Sequence, residues 1–284
     1  MTDRYAVIGH PIGHSKSPQI HRLFARATGQ DMVYEAIDGG AEPQGFARAL
    51  AAFGAAGGRG LNVTLPFKLQ ACASADAVSE SARLAGAANA LRFDGGGRVE
   101  AENFDGAGLV RDLQTNLRVP LAGSRVLLLG AGGAARGAAL PLLRAGVADL
   151  LIVNRTAGKA LELAQLFAPL AGAARVRGGG LDALEPAPAQ PLPFDVVINA
   201  TSASLGAHAL AIPPAALAGA RLAYDMVYGQ GLTPFLRAAQ AAGAAQLADG
   251  VGMLVEQAAE SFAWWRGVRP ETADVIALMR LPLV

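Results

Sequence analysis

Two kinds of apolar pattern alternate along the chain. Short, mostly apolar runs at 5–8, 32–37 and 60–63 read as strands. Between them apolar residues recur at helical spacing. Pro18 suits a helix start, where its missing N–H costs nothing, and Gly29 suits the stop of that helix. Further helices are expected over 43–53 and from Pro66 onward. Residues 87–93 and 98–102 form two strands joined by Asp94-Gly-Gly-Gly97, a hairpin signal. A helix is expected over 105–117, strands over 195–199 and 221–225, and a long helix over 250–265. Residues 178–193, rich in Gly, Ala and Pro, read as a surface connection. Alternating strands and helices predict an α/β fold with parallel or mixed sheets covered on both faces. Changes of domain are placed near Gly106 and Asp249.

The stretch from Arg125 to Lys159 is the most informative. An apolar strand, Val126 to Leu129, meets the turn Gly130-Ala131-Gly132-Gly133-Ala134-Ala135 and then a helix ending near Gly146. A second apolar strand, Leu150 to Val153, runs into Asn154-Arg155-Thr156. This is the first βαβ unit of a dinucleotide-binding fold. Gly130 permits a tight exit from the strand, Gly132 leaves room for a pyrophosphate, and Ala135 lets the helix pack close to the sheet. Free N–H groups at the helix start favour the phosphates. NAD-binding versions place an acid about 20 residues past the glycines. Here that position holds Arg155, with Lys159 one helical turn on, and Thr156 adds a hydroxyl. Two cations suit a 2′-phosphate, so NADP is the expected cofactor.

Composition narrows the rest. The chain has 284 residues, 52% hydrophobic and 17% charged, with a formal net charge of +1. That is enough for two domains with a large core, and it argues against nucleic acid or an anionic membrane as partner. One cysteine, Cys72, excludes an internal disulfide and a multi-cysteine metal site. No signal-peptide hydrophobic region and no membrane-spanning run are visible, so a cytoplasmic enzyme is expected.

Polar loops follow the strands of the first half, where open α/β sheets bind ligands. Ser15 and Ser17, before Pro18, offer two hydroxyls at a helix start, an arrangement suited to a carboxylate. Equally, Ser17 could serve only as the N-cap and Ser15 as a turn residue. His10, His14 and His21 fall nearby without carboxylate or thiolate at ligand spacing, so no metal is expected. Lys68, in Asn62-Val-Thr64-Leu-Pro66-Phe-Lys68, stands just inside a helix start. Cations are badly placed there, which hints at a function beyond a solvated surface charge. Asn89 offers a donor and an acceptor. Asp105 could orient Lys68, cap the following helix, or do both.

The order of these motifs resembles the shikimate dehydrogenase family over nearly the whole chain. The matching segments are His14-Ser-Lys-Ser-Pro18, Asn62 to Lys68, Gly86-Ala-Ala-Asn89, Asn103 with Asp105, Gly130 to Ala134, Asn154 to Thr156 with Lys159, Asn199-Ala-Thr-Ser202, Asp225-Met-Val-Tyr228 and Asp249 to Gln257. The resemblance implies a substrate domain over 1–105, completed by C-terminal helices from 249–284, and a Rossmann-type NADP domain over 106–248. It implies reversible NADP-dependent reduction of 3-dehydroshikimate to shikimate, with Lys68 and Asp105 as the catalytic pair. Ser15 and Ser17 would hold the substrate carboxylate. Thr64, Asn89, Tyr228 and Gln257 would surround the ring hydroxyls. Gly130 to Ala134, Asn154 to Lys159, Met226, Gly250 and Glu80 would contact the cofactor. The expected partner is a small anionic substrate, and the expected state a monomer or homodimer. Two residues depart from the family pattern, which has threonine at the positions of Ala90 and Phe104. The second change bears on substrate preference. Alternatives are an enzyme for quinate or another shikimate-like alcohol, a methylenetetrahydrofolate dehydrogenase, and an idle NADP-binding regulator.

Overall fold

The structure is a computed structural model that describes residues 2–185, 194–201, 212–229, 231–280 and 282–283. The chain divides into two compact units, Met1–Gly108 with Val255–Ala277 and Leu109–Leu254 with Leu278–Val284.

In the first unit the elements run β1 (Asp3–Gly9), α1 (Ser17–Thr28), β2 (Met32–Asp38), α2 (Gly45–Ala55), β3 (Gly58–Val63), α3 (Lys68–Ala73), β4 (Ala77–Val78), α4 (Glu80–Ala85), β5 (Ala90–Phe93) and β6 (Val99–Glu102). α5 (Asp105–Arg111) then continues as a π-helical turn over Asp112–Asn116. The sheet is mixed, in the order β2-β1-β3-β5-β6-β4. β1 pairs in parallel with β2 and β3, while β3–β5 and β5–β6 are antiparallel. β1 is apolar from Tyr5 to Ile8, where it is buried, and Ala6 and Ile8 are fully buried. α1 turns Ile20, His21 and Phe24 inward. It stops at Gly29, where φ is 64° and the N–H donates back to Arg26. The hairpin between β5 and β6 forms where Asp94 Oδ1 accepts from the amides of Gly96 and Arg98.

The loops that leave β1 and β3 run side by side. The His10 amide donates to the Leu65 carbonyl at 3.0 Å, and the Thr64 amide donates to Ile8 at 2.9 Å. Gly9 makes this approach possible, since a Cβ there would lie 2.5 Å from Thr64 Cγ2.

The second unit contains β7 (Arg125–Leu129), α6 (Gly133–Arg144), β8 (Asp149–Val153), α7 (Ala157–Phe167), β9 (Arg175–Gly179), β10 (Val196–Asn199), α8 (Pro214–Leu217), β11 (Leu222–Asp225), α9 (Pro234–Ala241) and β12 (Leu247–Asp249). α10 (Val251–Arg266) leads back into the first unit, and α11 (Ala273–Met279) follows. The sheet of the second unit is parallel throughout, in the order β12-β11-β10-β7-β8-β9. Counted within the unit this is the dinucleotide-binding order, with the switch point between β7 and β10. Leu127, Leu128 and Leu129 of β7 and Val196, Val197 and Ile198 of β10 are fully buried.

One expectation is corrected by the fold. The surface connection expected from residue 178 does not start there: Gly178 and Gly179 complete β9, and Leu184, in the short helical turn Leu181–Leu184, is fully buried. Glycine and alanine in this stretch serve close packing, for a Cβ on Gly178 would lie 2.2 Å from the Ala160 carbonyl. The remainder, 186–193, lies outside the described residues.

Candidate active site

The first unit gathers several of the expected substrate residues. Lys68 is the first residue of α3, and its Nζ donates to Asp105 Oδ2 at 2.5 Å. Asp105 Oδ1 accepts from Asn89 Nδ2 at 2.8 Å, so both carboxylate oxygens are engaged. The Asp105 amide donates to Asn103 Oδ1 at 3.0 Å, and Asn103 Nδ2 donates to the Ala87 carbonyl at 2.9 Å. Asn89 is buried. It accepts from the Phe104 amide at 2.9 Å and donates from Nδ2 to Gln257 Oε1 at 3.1 Å. Lys68 is thus held by a carboxylate that is itself held on several sides, while the ammonium keeps no second partner among the described residues. Asp105 opens α5, but its side chain serves Lys68 and Asn89.

At the other end of this region Ser15 is half-buried and Ser17 buried. The N-cap of α1 is Lys16, with no capping side chain, so Ser17 sits inside the first turn and the N-cap alternative is corrected. The Ser15 hydroxyl instead accepts from the Ser17 amide at 3.3 Å. Burial pushes the pKa of the Tyr34 phenol up, and the Ser17 hydroxyl, which lies near it, draws it down by less. Thr64, half-buried, accepts from the Phe67 amide through its carbonyl, in the turn that delivers Lys68. Glu80 stands exposed in the first turn of α4.

The three histidines of this stretch have separate surroundings. His10 Nδ1 lies 2.7 Å from Asp38 Oδ1, and His14 is exposed. His21 is fully buried, stacked on Tyr34 at 4.1 Å and 5°, with Phe24, Phe262 and Trp265 around it. Neither of its ring nitrogens reaches a hydrogen-bond partner of ordinary geometry. Burial pushes its pKa from 6.5 down to about 3, with Asn62 pulling the other way. A depressed folded pKa means that stability present above the unfolded value is lost as pH falls below 6.5 towards about 3. Between pH 7 and pH 5 that loss is about 2 kcal/mol. A His21→Phe variant is expected to flatten this acid limb. Urea midpoints at the two pH values, compared with those of the unaltered chain, measure it; an equal acid loss in both would contradict the assignment.

In the second unit Gly130 leaves β7 with φ of 111°, and a Cβ there would lie 3.2 Å from the Ala200 carbonyl, in the loop after β10. Gly132 and Gly133 face open space, and α6 begins at Gly133 with no capping side chain. Ala131 and Ala134 complete a turn of small residues over free helix N–H groups, a cradle fit for a pyrophosphate. At the end of β8 Asn154 Nδ2 donates to the Thr156 carbonyl at 3.1 Å, and Arg155, Thr156 and Lys159 are exposed. Gly250 lies against Met226, whose carbonyl would be 2.3 Å from a Cβ at that position. Tyr228 is exposed. Ser202 lies outside the described residues. Residues fit for a dinucleotide with a 2′-phosphate are therefore present around the switch point.

Comparison with known proteins places this geometry. The profile described as the shikimate dehydrogenase substrate binding domain matches residues 7–91, and the shikimate 5′-dehydrogenase C-terminal domain matches residues 250–280. The shikimate / quinate 5-dehydrogenase profile matches residues 113–206. The shikimate dehydrogenase (NADP(+)) of Dechloromonas aromatica is 53% identical over 287 residues, covering 100% of both chains. The chain belongs to the shikimate dehydrogenase family. The family expectation and the two-domain α/β fold read from the sequence are thereby borne out. Among solved structures, an Ael1 enzyme from Pseudomonas putida aligns with a TM-score of 0.92 at 54% identity over 100% of both chains. The Thermus thermophilus shikimate 5-dehydrogenase in complex with NADP(H) and shikimate aligns with a TM-score of 0.81 at 32% identity, over 97% of this chain and 98% of that one.

Within this family pattern Phe104 has a local account. Its amide still serves Asn89, and its ring meets Trp264 edge-on at 5.8 Å and 68°. The Arg92 guanidinium covers the same Trp264 at 4.5 Å and pairs with Glu100. Sequence reasoning missed Trp264 and Arg92 because their meeting with Phe104 depends on α10 returning to the sheet. It also gave no role to Asn62 and Tyr34, which bond to each other in the interior at 2.7 Å.

Proposed function

We propose that this chain catalyses the reversible NADP-dependent reduction of 3-dehydroshikimate to shikimate. The observation that carries the reading is the Lys68–Asp105 pair at 2.5 Å, fixed in turn by Asn89 and Asn103. The glycine turn and Arg155 would hold the cofactor, which would supply the hydride as NADPH in reduction and take it up as NADP+ in oxidation. Lys68 gives a proton to the ketone oxygen in reduction and withdraws it from the hydroxyl in oxidation. Asp105 holds the lysine and takes a neighbouring ring hydroxyl. Asn89, Thr64 and Gln257 orient the remaining hydroxyls, and Tyr228 is assigned to the substrate by its motif. Ser15 and Ser17 hold the carboxylate through their hydroxyls. Arg155 and Lys159 answer the 2′-phosphate, with Met226, Gly250 and Glu80 as further cofactor contacts.

Phe104 raises the question of a second alcohol, and a 5-ketofructose reductase from Gluconobacter also aligns, with a TM-score of 0.83 at 30% identity over 98% of both chains. The Phe104 amide still serves Asn89, so the Asn89–Asp105–Lys68 arrangement is kept, and the 53% identity to shikimate dehydrogenases supports shikimate. The deciding assay follows absorbance of the reduced nicotinamide with shikimate or quinate, each with NADP or NAD. Fast reduction of NADP with shikimate alone is expected. Turnover with quinate but not shikimate would overturn the substrate assignment. No helix among the described residues is long and apolar enough to cross a membrane. We propose that the chain acts in the cytoplasm as a monomer or homodimer.

A further inference from the structure

We infer that Tyr34 is a positioning residue for the Lys68–Asp105 pair and acts through Asn62; this rests on the function proposed above. The bonds fix one direction. Asn62 Nδ2 faces the Asn89 carbonyl at 3.2 Å, and a carbonyl only accepts, so that atom must be the amide nitrogen. The Asn62 oxygen therefore faces Tyr34, whose hydroxyl must donate to it, at 2.7 Å. Asn62 Nδ2 also donates to Ser261 Oγ at 2.9 Å, and Ser261 Oγ donates to the Gln257 carbonyl at 2.8 Å. One phenol thus anchors, as donor, the oxygen of an amide that pins both the main chain of Asn89 and the turn of α10 carrying Gln257. Those two residues meet at Asn89 Nδ2, which holds Asp105.

The phenol is itself clamped. His21 lies flat on its ring, and burial raises the Tyr34 hydroxyl well above the usual tyrosine range, so it stays a donor.

Tyr34→Phe is expected to lower kcat about fivefold, the worth of one buried neutral hydrogen bond, with the KM for NADP unchanged. In an Asn62→Ala background the same change should cost nothing further. Additive losses in kcat would overturn the inference. Asn62→Asp gives a second route if Tyr34→Phe does not fold. A carboxyl at position 62 donates to Asn89 only when protonated, so the ratio of its kcat to that of the unaltered enzyme should rise as pH falls. A flat ratio would overturn the relay. Lys68→Ala, run in parallel, separates the two readings: full turnover there removes the catalytic pair itself, whereas additive Tyr34 losses beside a dead Lys68→Ala enzyme remove only Tyr34.

Discussion

Lys68→Ala is expected to lower kcat by about 10²- to 10⁴-fold, the usual worth of a positioned general acid–base group, with KM for shikimate little changed. The geometry gives the reason for this split. Lys68 is tied to Asp105, and Asp105 has its second oxygen on Asn89 and its amide on Asn103. The ammonium therefore points where the protein sets it, and its remaining N–H groups are free to meet an oxygen on the substrate. Its contribution grows as charge develops on that oxygen, which is a transition-state interaction. Asp105→Asn should share much of the loss. An amide still fits beside Asn89, but its NH₂ cannot accept from Lys68, so the lysine loses its tether. The assay is steady-state kinetics in both directions with saturating cofactor. A rise in KM with kcat intact would make Lys68 a binding charge and end its acid–base role.

Much of this arrangement is legible in the amino-acid sequence. Strand runs such as Val126 to Leu129 are apolar because both faces are covered, and punctuation such as Gly29 and Asp94-Gly-Gly-Gly97 reflects backbone conformations that few residues adopt. Lys68 stands out because it breaks a local electrostatic rule at a helix start. The residues that escape such a reading are those whose meaning depends on distant chain. Asn62 and Ser261 are 199 positions apart and bonded at 2.9 Å. His21 reads as one of several loop histidines, yet it is enclosed by rings from α1, β2 and α10. A polar side chain between apolar neighbours in a strand, as Asn62 is between Leu61 and Val63 in β3, is the available signal, since burial of an amide demands partners. Short pieces escape for another reason. β4 spans two residues and β12 three, too few for an alternating pattern to register.

Arg155→Asp, made together with Lys159→Ala, is expected to invert the cofactor preference. The present chain should favour NADP because the position after β8 presents an exposed guanidinium where NAD-binding proteins place an acid. A 2′-phosphate there makes charge-assisted hydrogen bonds, each worth about tenfold or more in affinity. Removing both cations should raise the KM for NADP by about 100-fold. The new carboxylate repels the phosphate and accepts from the ribose hydroxyls of NAD, so the KM for NAD should fall. kcat at saturation should change little, because Lys68 and Asp105 are held by Asn89 and Asn103 within the first unit. Added salt gives an independent check. The advantage of NADP in the unaltered chain should shrink as ionic strength rises, since exposed charges are screened over about 8–10 Å. In the variant the trend should reverse, the bias against NADP shrinking as salt screens the repulsion between the new carboxylate and the 2′-phosphate. A variant that keeps its NADP preference would assign 2′-phosphate recognition to residues outside the Asn154 to Lys159 turn.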